Sequence, residues 1–326
     1  MENNKKLNNS QFPKVAVLVL TWNNYIDTSK CIESLHLLDY PNYEIVVVDN
    51  GSTDGSIQKI KKDFPSCTYI LNGDNFYFSE GNNKGIREIL NDEAVELIFL
   101  LNNDTIVTNK KTLCRLVEFL KNNDKKGIVS ARPVYPDGSN QVDLSSLKFP
   151  SILSFILVNS FVGRIYAKIK FLPPPNRFTS QSLVCVDWVP IGVSLIKRDI
   201  FEKCSFDGEN FPMEFSDVDF CKQATAEGSW KIYLMNDLSI IHSHSFPNTA
   251  EKLERNFLRA KYAEIRYIRK YFSRSYGIVY KTLVFLNSLF YIILLPFAFI
   301  LFIKQRRKIY LKWKNHLFLT FKIWWM

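Results

Sequence analysis

The sequence predicts an α/β fold built on a mostly parallel sheet flanked by helices. Three observations carry that prediction. Short unbroken apolar runs recur through the amino-terminal part of the chain, they alternate with amphipathic helical patterns, and each run ends in a polar turn. Parallel strands buried on both faces by crossover helices read in this way. Residues 15–20 form the first run, followed by a polar turn and a helical pattern over 26–38. Residues 44–48 are a second strand ending at Asp49; 51–55 are a turn, and 56–64 a helix. A third strand at 67–71, a helix at 81–90 and a fourth strand at 96–101 complete the repeat. A helix over 110–120 and a short strand at 127–130 follow.

Beyond that point the rhythm breaks. Residues 147–171 are apolar with scattered Arg and Lys, and Pro173-Pro174-Pro175 comes next. An insertion over 145–180 is expected, either an amphipathic helix and lid or ordinary core. Residues 184–197 read as a strand pair around Trp188 and Gly192, 216–227 as a helix, and 230–234 and 238–241 as two short strands. A strongly basic helix covers 250–272. The expected organisation is a loose polar leader (1–13), two halves of an α/β body (14–130 and 131–248) and a basic, apolar tail (249–326).

Charge is unevenly placed. Residues 250–326 hold 16 Lys and Arg against 3 Asp and Glu, a balance of +13, while the rest holds 26 against 29, or −3. A nearly neutral body with a basic tail argues against a general nucleic-acid binder and fits an anionic membrane surface. The six cysteines form no Cys-x-x-Cys pair, so neither a zinc framework nor a disulfide scaffold is expected. Residues 283–303 carry no charged side chain and are long enough to span a bilayer. Basic residues flank them on both sides, and Pro296 permits a bend. A span and a re-entrant or interfacial segment with both ends cytoplasmic both remain open. Mixed Lys and Trp/Phe in 308–326 suit a membrane interface.

The chemistry gathers at strand ends, where open α/β sheets hold their ligands. Thr21-Trp22-Asn23 follows the first strand, Asp49-Asn50-Gly51-Ser52 the second and Asn102-Asn103-Asp104 the fourth; Asp217-Val218-Asp219 lies further on. Together they suggest a metal-bound nucleotide diphosphate facing a carboxylate base. Asp49 suits a nucleobase imide or a ribose, with Thr21, Asn23, Asn50 and Ser52 lining the same pocket. Asn82 and Lys84, in Gly81-Asn82-Asn83-Lys84-Gly85, are expected to open a helix towards a phosphate or sugar oxygen. The dinucleotide fingerprint and the P-loop are both absent.

In order, Val-Leu-Thr-Trp-Asn-Asn, Val-Val-Asp-Asn-Gly-Ser-Thr-Asp-Gly-Ser, Gly-Asn-Asn-Lys-Gly and Leu-Leu-Asn-Asn-Asp-Thr resemble the family 2 glycosyltransferases. The rhamnosyltransferase-like branch of bacterial surface-polysaccharide synthesis is the nearest in pattern, and the likeness runs over roughly 14–245. The resemblance implies a GT-A fold, a nucleotide-sugar donor, a Mg2+ or Mn2+ ion, and inversion at the anomeric carbon. It also implies a lipid-linked or polysaccharide acceptor and a place at the cytoplasmic face of the bacterial membrane. Asn102-Asn103-Asp104 stands where the family has Asp-x-Asp, so Asp104 is the expected metal ligand and Asn102 and Asn103 face the donor. The segment around Glu214 and Ser216 resembles the family's Glu-Asp-x-Asp, which implies Asp217 as the base; Ser216 replaces the Glu, and Glu214 stays open as a partial substitute or as the base itself. His242, with His244 behind it, is expected at the metal; Trp188, Gly192, Glu214 and Ser216 are expected on the acceptor side. Two rival readings remain. A sugar-phosphate nucleotidyltransferase would want a glycine-rich basic turn where this chain has Thr21-Trp22-Asn23-Asn24. A catalytically decayed membrane-bound scaffold is suggested by Asn102 and Ser216.

Overall fold

The structure is a computed structural model that describes residues 12–121, 125–142, 147–159, 181–228, 230–243, 250–301 and 306–324. Most of the expected leader, the triple proline with most of the expected insertion, and His244 lie outside these residues. The chain divides into two units: Met1–Phe149 with Arg177–Ser245, and Pro150–Asn176 with Phe246–Met326.

The first unit is a mixed sheet of nine strands wrapped by helices. In chain order it runs β1 (Lys14–Thr21), α1 (Tyr25–Leu35), β2 (Tyr43–Asp49), α2 (Ser56–Asp63), β3 (Thr68–Leu71), α3 (Tyr77–Ile89), β4 (Val95–Asn102), β5 (Thr105–Ile106), α4 (Thr112–Lys121) and β6 (Lys126–Val134). The second unit's α5 (Ile152–Asn159) intervenes; then come β7 (Leu183–Val186), β8 (Val193–Lys197), α6 (Arg198–Lys203), α7 (Ser216–Gly228) and β9 (Lys231–His242). The spatial order is β3-β2-β1-β4-β8-β6-β9-β5, with β7 also paired to β9. Strands β1 to β4 are parallel to one another where they pair, whereas β8 runs antiparallel to both β4 and β6.

Alternation along β1 explains the layering. Val15, Val17 and Val19 face one core with Ile32 and Leu35 of α1, Ile60 of α2 and Leu113, Leu116 and Leu120 of α4. Ala16 and Leu18 face the other core with Ile86 and Ile89 of α3 and Phe220 and Cys221 of α7. Each fully buried aliphatic side chain contributes about 1.5–3 kcal/mol by leaving water, which is why an unbroken apolar run here means a central strand.

Three sequence expectations change. Residues 184–197 do not pair as a hairpin: β7 joins β9, while β8 lies between β4 and β6. Val193, Ser194, Leu195 and Ile196 are all buried, so β8 needs a neighbour on each side. The two short strands near the end of the unit are one strand, β9, which pairs with β6 through register shifts. The helix expected to open at Gly81 starts a full turn earlier, at Tyr77.

The second unit is helical. With α5 it contains α8 (Ala250–Tyr271), α9 (Arg274–Leu301) and α10 (Arg306–Lys322). Phe155 of α5 lies between the rings of Tyr267 on α8 and Tyr280 on α9. Residues Arg274–Pro296 have mean hydropathy 1.9, long and apolar enough to cross a membrane by length and composition, and only 28% of that window is buried. Helix α10 packs along α9: Tyr291 stacks on His316 at 4.5 Å, and His316 Nδ1 meets Ser288 Oγ at 3.2 Å. Pro296 has no N–H, so the carbonyl four residues earlier loses its helical donor. That carbonyl belongs to Ile292, and Trp313 Nε1 of α10 donates to it at 3.1 Å.

Candidate active site

Register places the first group. Thr21 pairs with Asp49 across β1 and β2, and Leu20 pairs with Asn102 across β1 and β4. The carboxyl ends of three parallel strands therefore open side by side, at the point where the order leaves β1 in both directions. Asp49 is buried, and the Ser52 N–H sits 3.2 Å from each of its carboxylate oxygens, which fixes the plane of the group. Asn23 has φ 49°; its N–H donates to Ser52 Oγ at 2.9 Å, and its Oδ1 accepts from the Thr53 N–H at 2.7 Å. The first and second loops are thereby tied to each other. Asn24 caps α1 by accepting from the Asp27 N–H. Asp54 caps the start of α2: the hydroxyl and N–H of Ser56 hold its carboxyl below the ordinary range.

Asn50 does something else. Its amide donates to Asn75 Oδ1 and Tyr77 O and accepts from Asn72 Nδ2 and the Phe76 N–H. Every polar site of this side chain holds the loop that leads into α3. The start of α3 is equally saturated. Phe76 N–H is bound by Asn50, Tyr77 N–H by Asn75 Oδ1, and the N–H groups of Phe78 and Ser79 by Pro212 O. These are the amides a helix offers to an anion, and all of them have protein acceptors. Residues 81–85 lie inside the helix instead. Asn82 is buried and donates to Phe78 O, while Lys84 Nζ sits 3.3 Å from the centroid of Phe76. The expected cradle at Gly81 is corrected accordingly: Gly81 and Gly85 let α3 lie close against Asn50 and Val48.

The second group forms where β4 ends. Asn103 Nδ2 donates to Thr28 Oγ1 at 3.0 Å and to Thr21 Oγ1 at 3.4 Å, and those two hydroxyls are 2.7 Å apart. Strand β5 then pairs Thr105 with His242 of β9, which brings the imidazole to Asp104. His242 Nε2 lies 3.2 Å from Asp104 Oδ1 and 3.2 Å from Asn102 Nδ2. On the other side of the ring, Nδ1 meets Gln141 Oε1 at 2.9 Å, while Gln141 Nε2 donates to the His242 carbonyl. Gln141 Oε1 can only accept, so Nδ1 carries a hydrogen and Nε2 is the ring nitrogen that faces Asp104 and Asn102.

The third group reaches the same place through one loop. The Asn102 N–H donates to Gly192 O at 2.9 Å, and a Cβ on Gly192 would come within 2.4 Å of Asn102 Oδ1. Only glycine fits there. The neighbouring Ile191 N–H bonds to the carboxyl of Asp217 at the start of α7. Burial pushes the Asp217 pKa up to about 7; the Ile191 and Ser216 hydrogen bonds and His242 pull against that rise, and Glu214 adds to it. Ser216 Oγ donates to Met213 O at 2.7 Å. Phe215 just before it has φ 65°, a left-handed backbone that costs an aromatic residue energy and marks constrained sites. Asp219 is buried and accepts from Gln223 at 2.6 Å within its own helix. Trp188 is half-buried against the core that contains Val186 and Val189.

Among the described residues no cluster of three or more His, Cys, Asp or Glu stands together. Asp104 and His242 do stand together, each 12% exposed. One carboxylate oxygen and one imidazole nitrogen at that spacing fit a divalent cation whose other positions are filled by diphosphate oxygens. Sequence reasoning missed Gln141, Thr28 and the Ile191 N–H. Gln141 carries no motif, and Thr28 looks like any residue in the first turn of a helix.

An α/β sheet covered on both faces, with polar strand ends gathered at one edge and the half-buried Asp217 linked to them through Ile191-Gly192, is the arrangement of the GT-A fold. The family model "Glycosyl transferase family 2" matches residues 16–185, and the chain belongs to that family. It is 25% identical over 227 residues to the low-salt glycan biosynthesis hexosyltransferase Agl10 of Haloferax volcanii, covering 69% of this chain and 66% of that protein. It is 30% identical over 95 residues to a GalNAc(5)-diNAcBac-PP-undecaprenol beta-1,3-glucosyltransferase of Campylobacter jejuni, covering 28% of this chain and 30% of that protein. The match thus spans less than two thirds of either relative. The mannosyltransferase PcManGT of Pyrobaculum calidifontis, solved with GDP-Man and Mn2+, shares the fold with a TM-score of 0.58 at 14% identity. That likeness covers 96% of this chain and 88% of that one.

Proposed function

We propose that the chain is an inverting glycosyltransferase. It moves a sugar from a nucleotide-diphosphate donor to a lipid-linked or growing polysaccharide acceptor at the cytoplasmic face of a membrane. The observation that carries this reading is the position of Asp217: one loop, Ile191-Gly192, joins its carboxyl to Asn102, and Asn102 touches the imidazole that meets Asp104. A proton acceptor on one side and a diphosphate-facing pair on the other is what in-line displacement needs.

In this reading Asp49 holds the nucleoside, with Thr21, Asn23 and Ser52 shaping its pocket, and Asn50 keeps the adjoining loop in place. Asn102 and Asn103 are assigned to the donor side, where the Asn103 amide braces Thr21 and Thr28 and the Asn102 amide meets His242. A Mg2+ or Mn2+ ion held by Asp104 and His242 would neutralise charge on the leaving diphosphate. Asp217 accepts the proton of the acceptor hydroxyl as that oxygen attacks the anomeric carbon from the opposite face. Glu214, Ser216, Gly192 and Trp188 are assigned to the acceptor side. A base whose pKa is about 7 is matched to its task near neutral pH. The undecaprenol-linked substrate of the Campylobacter jejuni relative and the GDP-Man bound by the mannosyltransferase support a lipid-linked glycan and a nucleotide-sugar donor; the motif pattern favours rhamnose as the sugar. The exposed apolar α9 and the basic tail support the membrane.

Asp217→Asn tests the assignment. Turnover of a nucleotide-sugar panel in Mn2+ is expected to fall by about 10²–10⁴-fold, with nucleoside-diphosphate affinity unchanged by calorimetry. Retained turnover removes Asp217 from its role.

A further inference from the structure

We propose that the helical unit carries a pocket for the phosphate of an anionic membrane lipid, at the junction of α8 and α9. The inference rests on the membrane reading above. The cavity is about 560 Å³ and is lined by Arg269, Arg274, Gly277, Ile278, Lys281 and Trp324. Among the described residues half of that lining is cationic and none is acidic.

Lys281 makes the pocket informative. It is only 6% exposed although it lines the cavity, and among the described residues it has no hydrogen-bond or ion-pair partner. A lysine held so largely out of water, with no counter-charge beside it among the described residues, costs free energy. Arg269 makes this worse, because it stands close enough to Lys281 to repel it. An anion with several acceptor oxygens would supply the counter-charge that Lys281 lacks among the described residues. Two guanidinium forks and an ammonium suit a phosphate group.

The surroundings favour a lipid over phosphate free in solution. Tyr276, Ile278, Val279 and Trp324 are all exposed around the same helix turns, and Trp324 packs near Phe285. Aromatic side chains beside basic ones mark the level of lipid headgroups. A phosphate bound there would have its acyl chains alongside exposed apolar side chains of α9.

Vesicle flotation of the full chain tests this, with phosphatidylcholine alone and with phosphatidylcholine plus phosphatidylglycerol. Wild type is expected to prefer the anionic vesicles. Lys281→Gln should lose about tenfold or more of that preference, whereas Lys312→Gln, a charge outside the pocket, should lose no more than about fivefold. Lys281→Arg should restore the preference. If circular dichroism shows Lys281→Gln unfolded, the exposed Arg274→Gln decides by the same comparison. Equal losses for pocket and control variants overturn the pocket. Displacement from anionic vesicles by inorganic phosphate at matched ionic strength overturns the lipid as its source. Failure to bind either vesicle sinks the membrane reading itself, an outcome distinct from binding that ignores Lys281.

Discussion

At Asp217 the chemistry and the stability of the protein are coupled. Its carboxyl has an ordinary value of 3.8 and is held near 7 in the folded chain. Between those values the unfolded chain is ionised while the folded one keeps its proton, so stability falls as pH rises through that window. Below about pH 4 there is no cost; above about pH 7 all of it is present. Asp217→Asn removes the ionisation and keeps the shape. The variant is therefore expected to be more stable than wild type near pH 8, on the order of 2–4 kcal/mol, and equal to it near pH 4. Denaturant titrations at the two pH values check this; equal stability at both shows that the carboxyl ionises without penalty. Gln141 offers a second residue-scale prediction. Its grip on both Nδ1 and the carbonyl of His242 orients the imidazole. Gln141→Ala should weaken Mn2+ binding by about 10–100-fold, measured by electron paramagnetic resonance titration without substrate. Unchanged Mn2+ affinity means the ring is held by something else.

At the scale of elements, Asn50 shows how one side chain positions another segment. It links β2 to the loop before α3 through four hydrogen bonds, and that loop also meets Pro212. Asn50→Ala leaves several of those groups unpaired and should cost on the order of 3 kcal/mol in chemical denaturation. A loss under about 0.5 kcal/mol would mean the loop re-pairs without it. The same network explains what the sequence concealed. Strands β1, β2 and β4 were legible because burial on both faces demands unbroken apolar runs, and their terminal polar residues stand out. The start of α3 was not, because its acceptors come from Asn50, Asn75 and Pro212, and nothing local announces them. The pairing of β7 with β9, and of two-residue β5 with the end of β9, is long-range for the same reason. His242 was legible as a candidate, yet its contact with Asp104 depends on that short pairing.

For the whole molecule, charge separation matters more than total charge. A body at −3 and a tail at +13 give the tail a field that a net value of +10 understates. Attachment to anionic vesicles should weaken as salt is raised from about 0.05 M to about 0.5 M, since screening shortens the reach of those cations to a few ångströms. It should not vanish, because the exposed apolar side chains of α9 do not depend on charge. Complete release at high salt, followed by sedimentation, would assign the attachment to electrostatics alone.

The bond from Trp313 to the Ile292 carbonyl bears on how the chain is made. During synthesis α9 leaves the ribosome before α10, carrying one naked backbone oxygen in its most oily stretch. Until the later helix arrives, that oxygen must keep a water molecule. Helix α9 should therefore settle into its final surroundings only together with α10, as a pair and late.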